Sequence, residues 1–268
     1  MPTLASQNQH FTWTPAPRRG GRITVSEAEA WDRDGYLLVP GALAADQIAE
    51  VAAAIDAEEA KVEARLRADG PHGISAAGKI TFTPHIVARA PAARAFAKLP
   101  VFADLAADLV GPDVRLYWDQ AVYKKTEPER DFPWHQDSGY TFVQPQHYLT
   151  CWVPLVDVTV DNGCPWIAPG LHKLGTLKHW WTDLGWRCLE DFPGAIPMEA
   201  KAGDIVCFSS LTPHRTGPNV TPDVRKAYIL QYAADPTLAF PRGAPSVRQD
   251  DPDRQFVVVR DGEAVGAR

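Results

Sequence analysis

Within DFPWHQDSGY (residues 131–140) a histidine and an aspartate stand two apart, His135 and Asp137. Successive side chains of an extended backbone alternate faces, so these two point one way and Gln136 points the other. An imidazole nitrogen beside a carboxylate oxygen suits a borderline divalent metal. A second histidine would complete the two-histidine, one-carboxylate face that holds non-haem Fe(II) and leaves coordination positions open. Alone, His-x-Asp is weak evidence, because the pattern is more often incidental than metal-binding.

Two further residues strengthen it. The stretch GDIVCFSSLTPHRTGPN (residues 203–219) reads as a turn, a buried strand and then His214 in a polar segment. Arg225 follows at the head of the strand RKAYILQY. A fixed guanidinium near a metal is a natural bidentate partner for a carboxylate-bearing cosubstrate. Taken singly, His214 could be a turn residue and Arg225 an exposed strand end. Their occurrence together, in strand contexts, favours a site.

The elements that must carry these residues change character along the chain. Residues 1–22 are polar and rich in Pro, Gly and Arg, which predicts a flexible N-terminal arm; residues 23–268 read as one domain. Ser26 and Glu29 suggest a capping box opening a short helix through Trp31, ended by Gly35, with YLLVP (36–40) as a strand. From Asp46 to about Arg67, Ile48, Val51, Ala52 and Ile55 fall on one face of an amphipathic helix. A further helix is expected over residues 91–110, with Phe96, Leu99, Phe102, Leu105 and Leu109 facing inward. After Gly111-Pro112 come short runs rich in Val, Ile, Tyr, Trp and Phe, punctuated by turn residues. Helices first and many short strands after predict a mainly β (α+β) fold. The architecture expected is a jelly roll (double-stranded β-helix, cupin-like) flanked by N-terminal helices, with its core at about 113–235.

Composition sets outer bounds. The 268 residues are 45% hydrophobic and 22% charged, with formal net charge −6, the balance of an ordinary globular chain. No basic cluster points to nucleic acid or an anionic membrane surface as partner. Cys151, Cys164, Cys188 and Cys207 are scattered without a C-x-x-C, which reads as reduced thiols in a cytoplasmic setting. The N-terminus lacks the apolar core of a secretory signal, and no apolar run approaches the length of a membrane span.

From GYLLVPG (35–41) to YILQYAAD (228–235) the chain resembles the phytanoyl-CoA dioxygenase family of Fe(II)/2-oxoglutarate oxygenases. The matching motifs are WHQD (134–137), TCWVPL (150–155), DNGCPWIAPGLHK (161–173) and the H-x10-R-K-A run from His214 to Ala227. Leu171 stands where the family usually has a small hydroxyl residue. The resemblance implies that His135, Asp137 and His214 are the iron ligands and that Arg225 clamps the distal carboxylate of 2-oxoglutarate. It also implies that Thr216, Gln120 and Trp152 line the cosubstrate pocket, with Lys79 as a further polar contact. The implied cofactors are Fe(II), 2-oxoglutarate and O₂, and the implied reaction is C–H hydroxylation with release of succinate and CO₂. Related halogenases lack the carboxylate, so Asp137 argues against halogenation.

The substrate environment is less legible. Tyr140 and Phe142 follow the motif and Trp134 precedes it. Trp180, Trp181 and Trp186 stand in a Gly-containing segment (172–194) that reads either as a lid with an aromatic wall or as packing. Arg215 and Lys173 could meet an anionic group or lie on the surface. The absence of a basic, aromatic nucleotide site favours a free small-molecule substrate over a CoA thioester. His10, His72, His85, His147, His172 and His179 are assigned no role. Three readings stay open: a hydroxylase; the same cofactors with desaturation, cyclisation or epimerisation; and a non-catalytic jelly-roll ligand-binding module. Oligomeric state is not legible.

Overall fold

The computed structural model describes residues 2–15, 21–127 and 130–266. Among these residues two antiparallel sheets build the site. The larger has eight strands, in the order Tyr36–Val39, Ile205–Ser209, Leu149–Pro154, Arg225–Ala234, Val114–Lys124, Val257–Arg260 and Glu263–Ala264. Ile80–Pro84 also pairs with the Val114–Lys124 strand. The smaller sheet runs Ile196–Pro197, Pro165–Ile167, His214–Thr216, Phe132–His135. This is the expected mainly β jelly roll with helices at its N-terminal side.

Strand alternation sorts the larger sheet into two faces. Cys151, Val153, Cys207, Tyr228 and Leu230 join Ile48, Val51, Ile55, Phe102 and Leu105 of the helices in the main core. Trp152, Val206, Phe208, Ala227 and Ile229 face the other way and pack with Ile167 of the smaller sheet. The site lies on that inner face. One irregularity matters: the register between Val114–Lys124 and Arg225–Ala234 shifts, pairing Gln231 with Trp118 and Tyr232 with Leu116. Tyr117 is the extra residue of a β-bulge, so Tyr117 and Trp118 both turn to the inner face between outward-facing Leu116 and Asp119.

The helices depart from the sequence expectation in two details. The first is Val25–Asp34, and its capping box is formed by Thr24 and Glu27 rather than Ser26 and Glu29. Glu27 N–H donates to the Thr24 hydroxyl at 3.2 Å, and Thr24 N–H donates to the Glu27 carboxylate at 2.7 Å. The second helix, Ala45–Asp69, buries Ile48, Val51 and Ile55 as expected. The single helix expected over 91–110 is two, Pro91–Phe96 and Pro100–Leu109. Pro100 lacks an N–H and holds Leu99 extended (φ −57°, ψ 141°), which breaks the helix there.

Residues 2–15 of the expected flexible arm lie against the body. Asn8 is buried and donates to the carbonyls of Leu174 and Thr176, and Trp13 packs edge-on against His172. Residues 1 and 16–20 of that arm lie outside the described residues. No helix among the described residues is long and apolar enough to cross a membrane.

Gly35 joins the first helix to the site. Its φ is 80°, and a Cβ there would lie 2.4 Å from His172 Nδ1 and 2.6 Å from Thr212 Oγ1. Its carbonyl accepts from that same Thr212 hydroxyl at 2.8 Å. Gly35→Ala should therefore cost roughly 2–4 kcal/mol in left-handed strain and overpacking. Circular-dichroism melting should show a fall in midpoint on the order of 5–15 °C.

Candidate metal centre and active site

His135 ends the strand Phe132–His135 and His214 begins the strand His214–Thr216, and the two are directly opposed in the antiparallel register. Asp137 stands just beyond the strand, opening a 3₁₀ turn over Asp137–Gly139. The intervening Gln136 keeps an extended backbone (φ −105°, ψ 142°), so the alternation expected from sequence survives the end of the strand. The Asp137 Oδ1 atom lies 3.9 Å from His135 Nε2 and 3.7 Å from His214 Nε2. One donor atom from each residue lies within 4.8 Å of the others, a spread that fits donors around a single first-row ion.

Hydrogen bonds select which atoms face that point. His135 Nδ1 donates to the Pro133 carbonyl at 2.9 Å, and His214 Nδ1 donates to the Thr212 carbonyl at 3.1 Å. A carbonyl can only accept, so each Nδ1 carries the proton and each Nε2 presents a lone pair. Thr150 donates its hydroxyl to Asp137 Oδ2 at 2.6 Å, leaving Oδ1 toward the histidines. Burial pushes His135 down to about 3 and His214 down to about 4, so both imidazoles are neutral near pH 7. Burial also raises the Asp137 carboxyl, against the lowering influence of His135, Thr150 and Gln231. Two neutral imidazoles and a buried carboxylate form a donor set that a divalent cation would complete.

A small cavity of about 60 Å³ runs from this triad to Arg225 and is also lined by Thr216, Gln120 and Trp152. The Arg225 side chain is 1% exposed, and its guanidinium carbon lies 5.5 Å from the centre of the Trp152 ring. Nη1 donates to the Val122 carbonyl at 3.3 Å, while Nε and Nη2 are buried with no partner. Burial lowers Arg225 only to about 10, so it stays cationic. Two orphaned N–H donors on a buried cation are the signature of a missing anion, and a carboxylate fits their fork geometry. The residues therefore fit both a metal and a dicarboxylate.

Lys79 does not join this group and is corrected here. Its ammonium turns outward, 3.8 Å from Glu127 with the side chain half exposed, and it lines neither cavity at the triad. Arg215 is likewise drawn away, held by Asp131 at 2.7 Å and stacked over Trp166; Lys173 is exposed. Trp180 and Trp181 are exposed on a hairpin, Trp186 lies under the Arg242 guanidinium, and none of the three lines either cavity.

Sequence reasoning missed the support behind the ligands. The Gln136 side chain is fully buried on the face opposite the triad, where its amide donates to the Gly175 carbonyl at 3.0 Å and to the Leu211 carbonyl, and accepts from Leu177 N–H at 2.6 Å. His179 holds the same residue through its backbone. Its Nε2 accepts from Gln136 N–H at 3.0 Å, and its Nδ1 donates to the Leu177 carbonyl at 2.9 Å. The His179 ring also lies against Gly139, where a Cβ would fall 2.0 Å from it. No local signal marks His179, because its partner is distant in sequence. Removing the acceptor leaves a buried N–H between two ligands, so His179→Ala should weaken Fe(II) binding about 10-fold or more in anaerobic calorimetric titration. His179→Asn, whose amide oxygen can accept, should recover part of that loss.

The chain is similar to several known proteins. The chain is 28% identical over 221 residues to the methylphosphonate hydroxylase of Gimesia maris, covering 79% of this chain and 81% of that protein. It is 25% identical to the ectoine dioxygenase of Sphingopyxis alaskensis, covering 97% and 89%. Among solved structures it matches the epimerase SnoN, in complex with Fe³⁺, α-ketoglutarate and nogalamycin RO, with a TM-score of 0.64 and 28% identity, covering 81% of this chain and 85% of that one. The phytanoyl-CoA dioxygenase family model matches residues 31–227, which include His135, Asp137, His214 and Arg225. The chain belongs to the phytanoyl-CoA dioxygenase family.

Proposed function

We propose that the protein is an Fe(II)/2-oxoglutarate-dependent dioxygenase that hydroxylates an unactivated C–H bond of a small organic molecule, releasing succinate and CO₂. The observation that carries this reading is the buried Arg225, whose Nε and Nη2 lack partners, at the end of a cavity that begins at His135, Asp137 and His214. When bound, the iron with 2-oxoglutarate and O₂ supplies an oxidant that converts a C–H bond to C–OH. The protein's own contribution is positional. His135 and His214 offer Nε2 and Asp137 offers Oδ1 as metal ligands. Arg225 takes the distal carboxylate of 2-oxoglutarate through its two free N–H groups, with Thr216 and Gln120 at the cavity wall and Trp152 packed on the guanidinium. Apolar walls keep water from the reacting atoms.

A binding module without turnover would need neither an open metal face nor an anion clamp beside it. An outcome other than hydroxylation has one specific support, the likeness to the epimerase SnoN. Product mass separates the two: hydroxylation adds one oxygen atom, epimerisation leaves the mass unchanged. Four buried, unpaired cysteines support a reducing, cytoplasmic setting.

Anaerobic titration of the Fe(II)-loaded protein with 2-oxoglutarate should develop the visible charge-transfer band of the chelate. Absence of the band at verified iron loading would refute the proposal. Arg225→Ala should raise the 2-oxoglutarate concentration needed for the band on the order of 100-fold, because a buried charge loses its partner. His135→Ala should abolish substrate-independent succinate formation.

A further inference from the structure

Two cavities meet at the triad, and they differ in charge. The smaller one holds Arg225. The larger, about 320 Å³, opens on the other side of His135 and Asp137, and among its described lining residues there is no lysine or arginine. Its walls are aromatic: Phe82, Tyr117, Trp118, Phe132, Tyr140 and Tyr148. Gln120, Gln231 and Thr141 supply its neutral hydrogen-bonding groups.

From this contrast, and resting on the dioxygenase reading above, we propose that the part of the substrate that reaches the metal is an uncharged ring system bearing hydroxyl or carbonyl groups, and not an anion. An anionic group in this chamber would be desolvated with no lysine or arginine to pair it, since the charge of a bound Fe(II) would already be balanced by Asp137 and 2-oxoglutarate. Three nearby cations are engaged elsewhere: Arg254 donates to Asp251 at 2.8 Å and contacts His85 at 3.1 Å, Arg215 is held by Asp131, and Arg242 donates to the Gly139 carbonyl and lies over the Trp186 ring. The three phenols stay neutral, since burial pushes Tyr117 up to about 12 and raises Tyr140 and Tyr148 as well.

Shape argues the same way. The bulge at Tyr117 brings two consecutive aromatic side chains to one wall, which an unbroken strand would have split between faces. Gly185 (φ 112°) packs against three of the wall residues: a Cβ there would lie 3.3 Å from the Tyr140 hydroxyl, 3.4 Å from Ile74 and 3.7 Å from Phe132. The Tyr140 hydroxyl is buried and unpartnered. An orphaned phenol in an aromatic slot selects a flat molecule with a neutral polar group at its edge.

The test uses three probes of one shape, 2-naphthol, 2-naphthoate and 2-naphthyl phosphate. Each is titrated anaerobically into the Fe(II)- and 2-oxoglutarate-loaded protein, following the charge-transfer band and tryptophan fluorescence, to which Trp118 contributes. The naphthol should bind on the order of 100-fold more tightly than either anion. Thr141→Arg, which adds a cation to the lining, should narrow that ratio at least about 10-fold, while Tyr140→Phe should weaken the naphthol alone. Equal or tighter binding of an anion, or no binding of the naphthol to protein that forms the band, would overturn the inference. Failure of the band itself would count against the dioxygenase reading. In that case naphthol selectivity, read by fluorescence on the same protein, still decides the substrate class.

Discussion

The metal face depends on one constraint, the extended conformation of Gln136. His135 belongs to a strand and Asp137 to a 3₁₀ turn, so sheet pairing alone does not orient the aspartate. The two share a side because the residue between them keeps strand-like dihedrals outside the strand. Gln136 is locked there by polar contacts on the face away from the metal, all of them buried and satisfied. Rotating its backbone would break several buried hydrogen bonds at once, each costly to leave unmade. The ligands are thus held by a residue that does not touch the metal point.

Electrostatics then divides the space around that face. Buried imidazoles are forced neutral, and the buried carboxylate has no protein cation within the triad, which leaves room for a divalent ion. Arg225 is the cation of the smaller cavity, and the sheet supports it from below through the carbonyl of Val122 and the ring of Trp152. Of the other basic side chains nearby, Arg215 pairs with Asp131 and Lys79 with Glu127, while the buried Lys124 donates to the Arg130 and Gly217 carbonyls. On the proposed reading, one side of the metal point takes a carboxylate and the other a neutral group. That asymmetry follows from which strand positions face inward, since Trp152, Gln120 and Arg225 come from three neighbouring strands of the larger sheet.

The same sheet shows how local chemistry and tertiary demand compete. Pro100 splits a segment whose apolar spacing alone reads as one helix, yet Phe96, Phe102, Leu105 and Leu109 still face the core, because the break preserves their side. The first helix starts at Thr24, where both halves of a capping box close, although Ser26 and Glu29 offer the same residue pattern two positions later. Pro100 decides the first case by local chemistry, since a proline inside a helix costs about 3 kcal/mol, whereas the two capping patterns differ little locally and the fold chooses between them.

The sequence by itself determined the helix-then-strand order and the placing of His135 and Asp137 on one side of an extended segment. These follow from short-range periodicity, which a chain carries wherever it folds. It also marked His214 and Arg225 as partners, through their strand contexts and the family resemblance. Only the tertiary structure decided that Lys79 turns away, that His179 holds the Gln136 backbone, and that a bulge sends Tyr117 and Trp118 to the same wall. It also decided that the tryptophans of the 180–187 hairpin stay off the cavity while its Gly185 packs against the wall residues Tyr140 and Ile74. These outcomes depend on register and on contacts between residues far apart in the chain. No local pattern encodes which of many distant partners a side chain will meet.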